Sequence, residues 1–409
     1  MARGARARPA AGGVNGVARA LYLDHAATAP LDPRVADAMA ACLADPELQA
    51  NPASAHAAGR AAAEQVALAR GQVARLVNAS PEAIVFTSGA TESVNLAALG
   101  AVRACGPGRR HVVTSRIEHR AGLDACRQLE REGHEVTWLA PGRDGLIRAE
   151  QVAAALREDT ALVSLMHANN EIGTLTDIGA VAGLCEARGI TFHTDAAQSV
   201  GKVAVDCAVP GIALLSFCAH KLGGPKGVGA LYVRRRPRPQ VQPLQFGGGH
   251  EGGLRSGTLA LHQLAGFGLA CELAGAALGE EPARIRTLRE RLWQQLQAAA
   301  PLWRNGAAEP SVPGILSVGF AGIEGESLLL ELDGEIAASS GAACSSATGE
   351  PSYVLRSLGR SDEAIQATLR LSLGRGTTAQ DIDRAASVIV RAVARLRAAL
   401  PAGALERIA

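Results

Sequence analysis

A chain of 409 residues has room for two or three domains of ordinary size. With 48% apolar residues but only 3% aromatics, its core must be aliphatic and rich in alanine. A formal net charge of +2 gives no electrostatic ground for nucleic acid or a membrane surface as a main partner, and no uncharged apolar run reaches the roughly 18 residues of a membrane span.

The first twenty residues are rich in Ala, Gly and Arg, lack acids and serines, and have no apolar centre. They read as a disordered extension (residues 1–20) of a cytoplasmic protein rather than as a targeting signal. From Ala83 onward short β-rich runs recur: Ile84–Thr87, His111–Ser115, Glu135–Leu139, Ala161–Met166, Ile190–Thr194, Ile212–Phe217 and Val228–Val233. Helical patterns lie between several of them, most clearly at Glu92–Leu99, Ala121–Glu132 and Ile178–Arg188. This alternation predicts an α/β fold with a mostly parallel central sheet and helices on both faces. The glycine-rich stretch Gly247–Gly257 breaks the alternation. Helical patterns follow at Leu259–Leu278 and Ala283–Ala299, then a different texture with expected strands at Ile315–Phe320 and Glu335–Ser339 and a closing helix from about Ala379 to Leu400. The expected division is a large domain over residues 31–277 and a smaller α+β domain built from 278–409, with residues 21–30 packed beside it.

The eight cysteines are scattered with no CxxC, and no His pair has zinc-finger spacing, so neither a disulfide framework nor a metal site is expected. Of the 41 basic residues only Lys202, Lys221 and Lys226 are lysine. Lysines that survive in an arginine-rich sequence are candidates for work a guanidinium cannot do, because only an amine readily loses a proton and condenses with a carbonyl. Lys221 stands where the Ile212–Phe217 strand should end, although an ordinary surface lysine would fit there too.

In parallel α/β sheets ligands bind beyond the carboxyl ends of the strands. Those positions are polar here. Thr91 and Glu92 open a helix, and a helix amino terminus suits a phosphate as well as an ordinary cap. His119 follows the second run, Asn169 and Asn170 the fourth, and Asp195 and Gln198 the fifth. A carboxylate placed as Asp195 is needs a cationic or hydrogen-bonding partner. One ligand uses all of these at once: pyridoxal 5′-phosphate, with a phosphate for the helix terminus, a flat ring for the His, a ring cation for the Asp and a carbonyl for the Lys.

The segments YLDHAAT, NPAS, FTSGATES, MHANNEIG, HTDAAQS, SFCAHKLGGPKG, GGGHEGGLRSGT, SSGAACSS, EPSYVLRSLG and LRLSLGR occur in this order between Tyr22 and Arg375. In them the chain resembles the cysteine desulfurases of the nitrogen-fixation and iron–sulfur-cluster type, over nearly its whole length. The resemblance implies the aminotransferase-like fold type I of pyridoxal-phosphate enzymes and a homodimer. It implies that Lys221 binds the cofactor as a Schiff base and that Asp195 holds the ring nitrogen protonated. Gln198 would bond the ring hydroxyl oxygen and His119 stack on the ring. Ala90, Thr91, Cys218 and His220 would line the phosphate site, with Thr258 reaching it from the other subunit. Arg370 would grip the substrate carboxylate, with Asn170 and Asn51 beside it, and Cys344 would take up sulfur from L-cysteine. The sulfur would pass as a persulfide to an acceptor or an iron–sulfur scaffold protein, Cys344 touching a cluster only in passing. At Cys218 this chain departs from the family's usual Ser, and a thiol is a poorer hydrogen-bond donor to phosphate. Selenocysteine lyase, aminotransferase and β-elimination chemistries share the fold and are the rival readings.

Overall fold

The computed structural model describes residues 20–106, 108–340 and 351–400. Among these residues the strands are β1 (Leu21–Tyr22), β2 (Ile84–Thr87), β3 (His111–Ser115), β4 (Glu135–Leu139), β5 (Thr160–Ser164), β6 (Thr191–Asp195), β7 (Ile212–Cys218), β8 (Gly229–Val233), β9 (Leu302–Arg304), β10 (Ile315–Phe320), β11 (Ile336–Ala337) and β12 (Thr368–Ser372). The main sheet has the order β2-β8-β7-β6-β5-β3-β4. The strands from β7 through β4 are parallel to their neighbours, and β8 is antiparallel to both β7 and β2. As a result β2, β3, β5, β6 and β7 all end at the same edge. The register fixes the alignment there: Asp195 pairs with Ser216, Cys218 with Gly229, and Gly229 with Thr87.

Every residue of β2, β3, β5, β7 and β8 is buried. That explains why they show no apolar/polar alternation, since a sheet covered on both faces has no solvent side to alternate with. On one face the helices Ala57–Leu76 and Leu261–Ala277 close over Phe86, Phe192 and Phe217. Phe267 of the second helix meets Phe217 edge-on, with ring centroids 5.7 Å apart. The first of these helices is alanine-rich, which favours helix, and its period turns Ala62, Val66, Ala69 and Val73 inward. The two helices approach so closely that a Cβ on Gly268 would lie 2.9 Å from the Ala69 Cα. On the other face the helices Ala90–Arg103 and Arg120–Arg131 bring Leu96, Leu99 and Leu129 against Val112, Leu162, Leu214 and Leu231.

A second core joins Leu23 to residues from Ile285 through Val393. It lies between the antiparallel sheet β12-β10-β9 and the helices Glu281–Leu296 and Ala379–Ala398, the latter opened by a capping box of Thr378 and Asp381. Strand β1 pairs in parallel with β11, and Asp24 bridges to Ser372 of β12. The segment after β1 therefore leads from the second core to the main sheet's carboxyl edge, where the Ala29 N–H donates to the His220 carbonyl at 2.8 Å. Among the described residues no single helix is long and apolar enough to cross a membrane, and no His/Cys/Asp/Glu group of metal-binding size occurs.

The expected elements of the main sheet are present within a residue or two. The expected strand 335–339 is shorter, because only Ile336 and Ala337 pair with β1, and Ser339 turns instead to Arg370. Strand β12 and the helices Pro33–Ala44 and Ala57–Leu76 went unread in the sequence.

The aromatic stack should be a principal support of the main core. Phe267→Ala is expected to cost about 3–5 kcal/mol, seen as a lowered urea midpoint with an unchanged slope. A loss below about 1 kcal/mol would show that the helix pair, and not the ring, holds this face.

Candidate active site

The edge where the strands end encloses a cavity of about 460 Å³. Asp195, the last residue of β6, forms part of its wall and is 8% exposed. Its Oδ1 accepts the Ala197 N–H at 2.9 Å. Burial pushes its pKa up, and the nearby His119 and Lys221 act in the opposite direction. A carboxylate held in this way favours a further cation beside it.

Lys221 closes a single 3-10 turn, Ala219–Lys221, that β7 runs straight into. Its Nζ lines the cavity and donates to the Ala26 carbonyl. His119 caps the helix Arg120–Arg131, with Nδ1 accepting the Ala121 N–H at 3.2 Å. In the neutral ring that contact leaves the proton on Nε2. His220 also lines the cavity and shares a 3.1 Å hydrogen bond between Nδ1 and the Thr28 hydroxyl. Burial first, then the neighbouring lysines, takes its pKa down to about 4, so the ring is neutral near pH 7. Burial pushes the Cys218 thiol up to about 11, which makes it a neutral thiol facing the backbone N–H groups of Ala90 and Lys221. Ala90 and Thr91 form the first turn of the helix Ala90–Arg103, whose amino terminus opens onto the same cavity.

Asn170 is 8% exposed; its side-chain oxygen has no partner among the described residues, and its backbone oxygen accepts from Arg370 Nη1 at 2.9 Å. Arg370 comes from β12 in the second core, is 2% exposed, and pairs through Nη2 with Asp24 at 2.8 Å. It holds the Asn170 backbone and is not among the residues that line the cavity. Gln198 does line it; its Nε2 donates to the Ala26 carbonyl at 2.8 Å and its Oε1 accepts from Lys202 Nζ at 2.8 Å.

Besides Arg370, two of the residues expected at the site stand apart from the cavity. The exposed Asn51 turns its Oδ1 back to the Ala53 N–H at 2.9 Å, and it does not line this cavity. Thr258, also exposed, does not line the cavity of its own chain. Cys344 lies outside the described residues. Sequence reasoning gave no role to Asp24, Ala26 and Thr28, which contact site residues, and named Lys202 only as one of three candidate lysines. Lys202 carried a usable signal, since it is another of the three lysines in an arginine-rich chain. The Ala26 carbonyl is backbone and carried none.

The donor set fits pyridoxal 5′-phosphate: an amine on the wall, a buried carboxylate, an unpartnered Asn170 side-chain oxygen, an imidazole with its proton on Nε2, and a helix amino terminus with a hydroxyl. A mostly parallel sheet with these groups at its carboxyl edge defines a pyridoxal-phosphate protein of fold type I. The comparisons with known proteins narrow this further. Residues 21–385 match the aminotransferase class-V family model, and the chain belongs to that family. It is 53% identical over 382 residues to "Cysteine desulfurase IscS" of Pseudomonas aeruginosa strain LESB58, covering 93% of this chain and 94% of the relative. The enzyme of the same name from Serratia proteamaculans is 51% identical, covering 92% and 93%. Among solved structures, a "NifS-like protein" superposes with TM-score 0.86 at 32% identity, covering 92% of this chain and all of that one. The structure described as "SspA in complex with cysteine" gives TM-score 0.76 at 34% identity, covering 86% and 98%.

Beneath His119 the carboxyl of Glu118 is fully buried, accepting from the Ser115 hydroxyl at 2.5 Å, and burial raises its pKa from 4.5 to about 8. The folded state then keeps a proton that the unfolded chain has lost. Stability from this group is complete at low pH and falls as pH rises from about 4.5 through about 8. Glu118→Gln, which does not titrate, should therefore gain on the parent protein by at least about 1.4 kcal/mol, the worth of one pKa unit, on going from acid to mildly alkaline pH. Urea midpoints at both pH values measure it. Parallel midpoints for the two proteins would show that Glu118 ionises normally in the fold.

Proposed function

We propose that the chain is a cysteine desulfurase that takes sulfur from L-cysteine, leaves L-alanine, and passes the sulfur on as a persulfide of Cys344. The observation that carries this reading is the meeting of Lys221, Asp195 and His119 around one cavity in a chain half identical to enzymes named for that reaction. Bound pyridoxal phosphate supplies an electron sink, so that a proton can leave the amino-acid α-carbon.

The chain's own residues do the rest. Lys221 would anchor the cofactor covalently, and its amine, when free, would take the α-proton; the Ala26 carbonyl keeps that amine on the cavity wall. Asp195 holds the ring nitrogen protonated. His119, with its Nδ1 committed to the Ala121 N–H, presents an Nε2–H; it gives that proton to the carbon that loses sulfur and is restored by the proton of the substrate thiol. Thr91, the neutral His220 and the N–H groups at the start of the Ala90 helix receive the phosphate. Arg370, whose Nη1 holds the Asn170 carbonyl and whose Nε has no partner among the described residues, takes the substrate carboxylate, with Asn170 beside it. Cys344 attacks the substrate sulfur as a thiolate: a sulfur–sulfur bond forms, the carbon–sulfur bond breaks, and its electron pair stays with the carbon that becomes alanine's methyl. That role rests on the match of Ser339–Ser346 to the family segment. A homodimer, with Thr258 reaching the partner's phosphate site, and a sulfur acceptor or iron–sulfur scaffold complete the proposal.

Lys221→Ala is expected to lower alanine formation by at least about 10²–10⁴-fold, the range for losing a positioned acid–base group, and to abolish borohydride trapping of the cofactor. Cys344→Ser should keep the cofactor's absorbance response to cysteine but form no persulfide or alanine. Normal alanine release by the Cys344 variant would remove that thiol from the reaction.

A further inference from the structure

The turns that follow β6 set Gln198 and Lys202 side by side: the Ser199 N–H donates to the Ala196 carbonyl at 3.1 Å and the Lys202 N–H to the Ser199 carbonyl at 2.9 Å. Gln198 is 4% exposed, and its amide is held at both ends. A backbone carbonyl carries no hydrogen, so the end of Gln198 that meets the Ala26 oxygen at 2.8 Å is the NH2 end. Lys202 Nζ brings hydrogens to the other end at 2.8 Å, and that end is the oxygen. The two contacts select the same orientation of the amide. Nε2 has a second hydrogen, which is the polar hydrogen Gln198 has left for the cavity it lines with Asp195 and Lys221.

We propose that Lys202 is a positioning residue. By holding Gln198 Oε1, it leaves only an N–H, never the amide oxygen, to face the ring oxygen of bound pyridoxal phosphate, and so keeps that oxygen in its ionised, accepting form. The inference rests on the cofactor reading above. Lys202 reaches Gln198 from beside a second cavity of about 320 Å³ that it shares with His25, Lys221 and Arg375. The charged and titratable groups facing it are His25, Cys218, Lys221 and Arg370. Burial, with the Lys221 charge adding to it, brings the Lys202 pKa down to about 7. An amine has N–H donors in either protonation state, so the lock persists across neutral pH.

The test is the pH titration of cofactor absorbance in reconstituted holoenzyme, with borohydride reduction confirming the Schiff base in each protein. Lys202→Met keeps nearly the same volume but removes the donor, leaving the Ala26 carbonyl as the one remaining contact that resists turning the amide oxygen toward the ring. Its chromophore should take up a proton about tenfold more readily, an upward shift of roughly one pKa unit. Lys202→Gln restores an uncharged N–H donor and should return the titration to within a few-fold of the parent protein. An unshifted Lys202→Met titration overturns the inference. So does a Lys202→Gln protein that behaves like Lys202→Met, because the effect would then belong to the ammonium charge. A parent holoenzyme without borohydride-sensitive absorbance overturns the cofactor reading, and this inference falls with it.

Discussion

One backbone oxygen ties the molecule together. The Ala26 carbonyl accepts both the Lys221 amine and the Gln198 amide, and it comes from neither element that carries them. It belongs to the strip between β1 and the first helix, which starts in the second core with Leu23, is clasped to β12 through Ser372, and ends against His220. A side chain from the second core, Arg370, reaches the same edge and grips the Asn170 carbonyl. Displacing the second core would loosen both the amine and the amide of the site, even though neither residue is part of that core.

Desolvation gives the site its charge state. Asp195 and Cys218 have raised pKa values, while those of His220 and Lys202 are lowered, and burial is the largest cause in every case. The end of the cavity at the Ala90 helix is consequently lined by a neutral ring and a neutral thiol; backbone N–H groups at the helix start and the lysines Lys221 and Lys226 make it favourable to an anion. At the far end, a carboxylate held in low dielectric favours a cation against it. The two ends thus have opposite preferences, as a ligand with an anionic tail and a protonated ring requires.

Much of this was legible in the sequence because the strands are buried on both faces. Ile212–Cys218 is apolar almost throughout, and the residues that break each such run fall at the carboxyl edge by geometry alone. His119, Asn170, Asp195 and Lys221 could be found in that way. Arg370 could not: it lies inside a strand of another sheet and reaches the edge only by tertiary packing. Its place in the sequence reading came from family resemblance. The Ala26 carbonyl lies beyond any reading of side chains, and the Gln198–Lys202 contact depends on a turn whose hydrogen bonds no periodicity announces. The alanine-rich helix Ala57–Leu76 was missed for a related reason, since small residues give a weak apolar contrast between its faces.

The central claim is that sulfur leaves cysteine for a thiol of this same chain. A single turnover of holoenzyme with L-cysteine and no reductant, followed by mass analysis of its peptides, tests that directly. One added sulfur atom is expected on the peptide bearing Cys344 for each alanine formed. Alanine without added sulfur on that peptide, or pyruvate and ammonia in place of alanine, would contradict it.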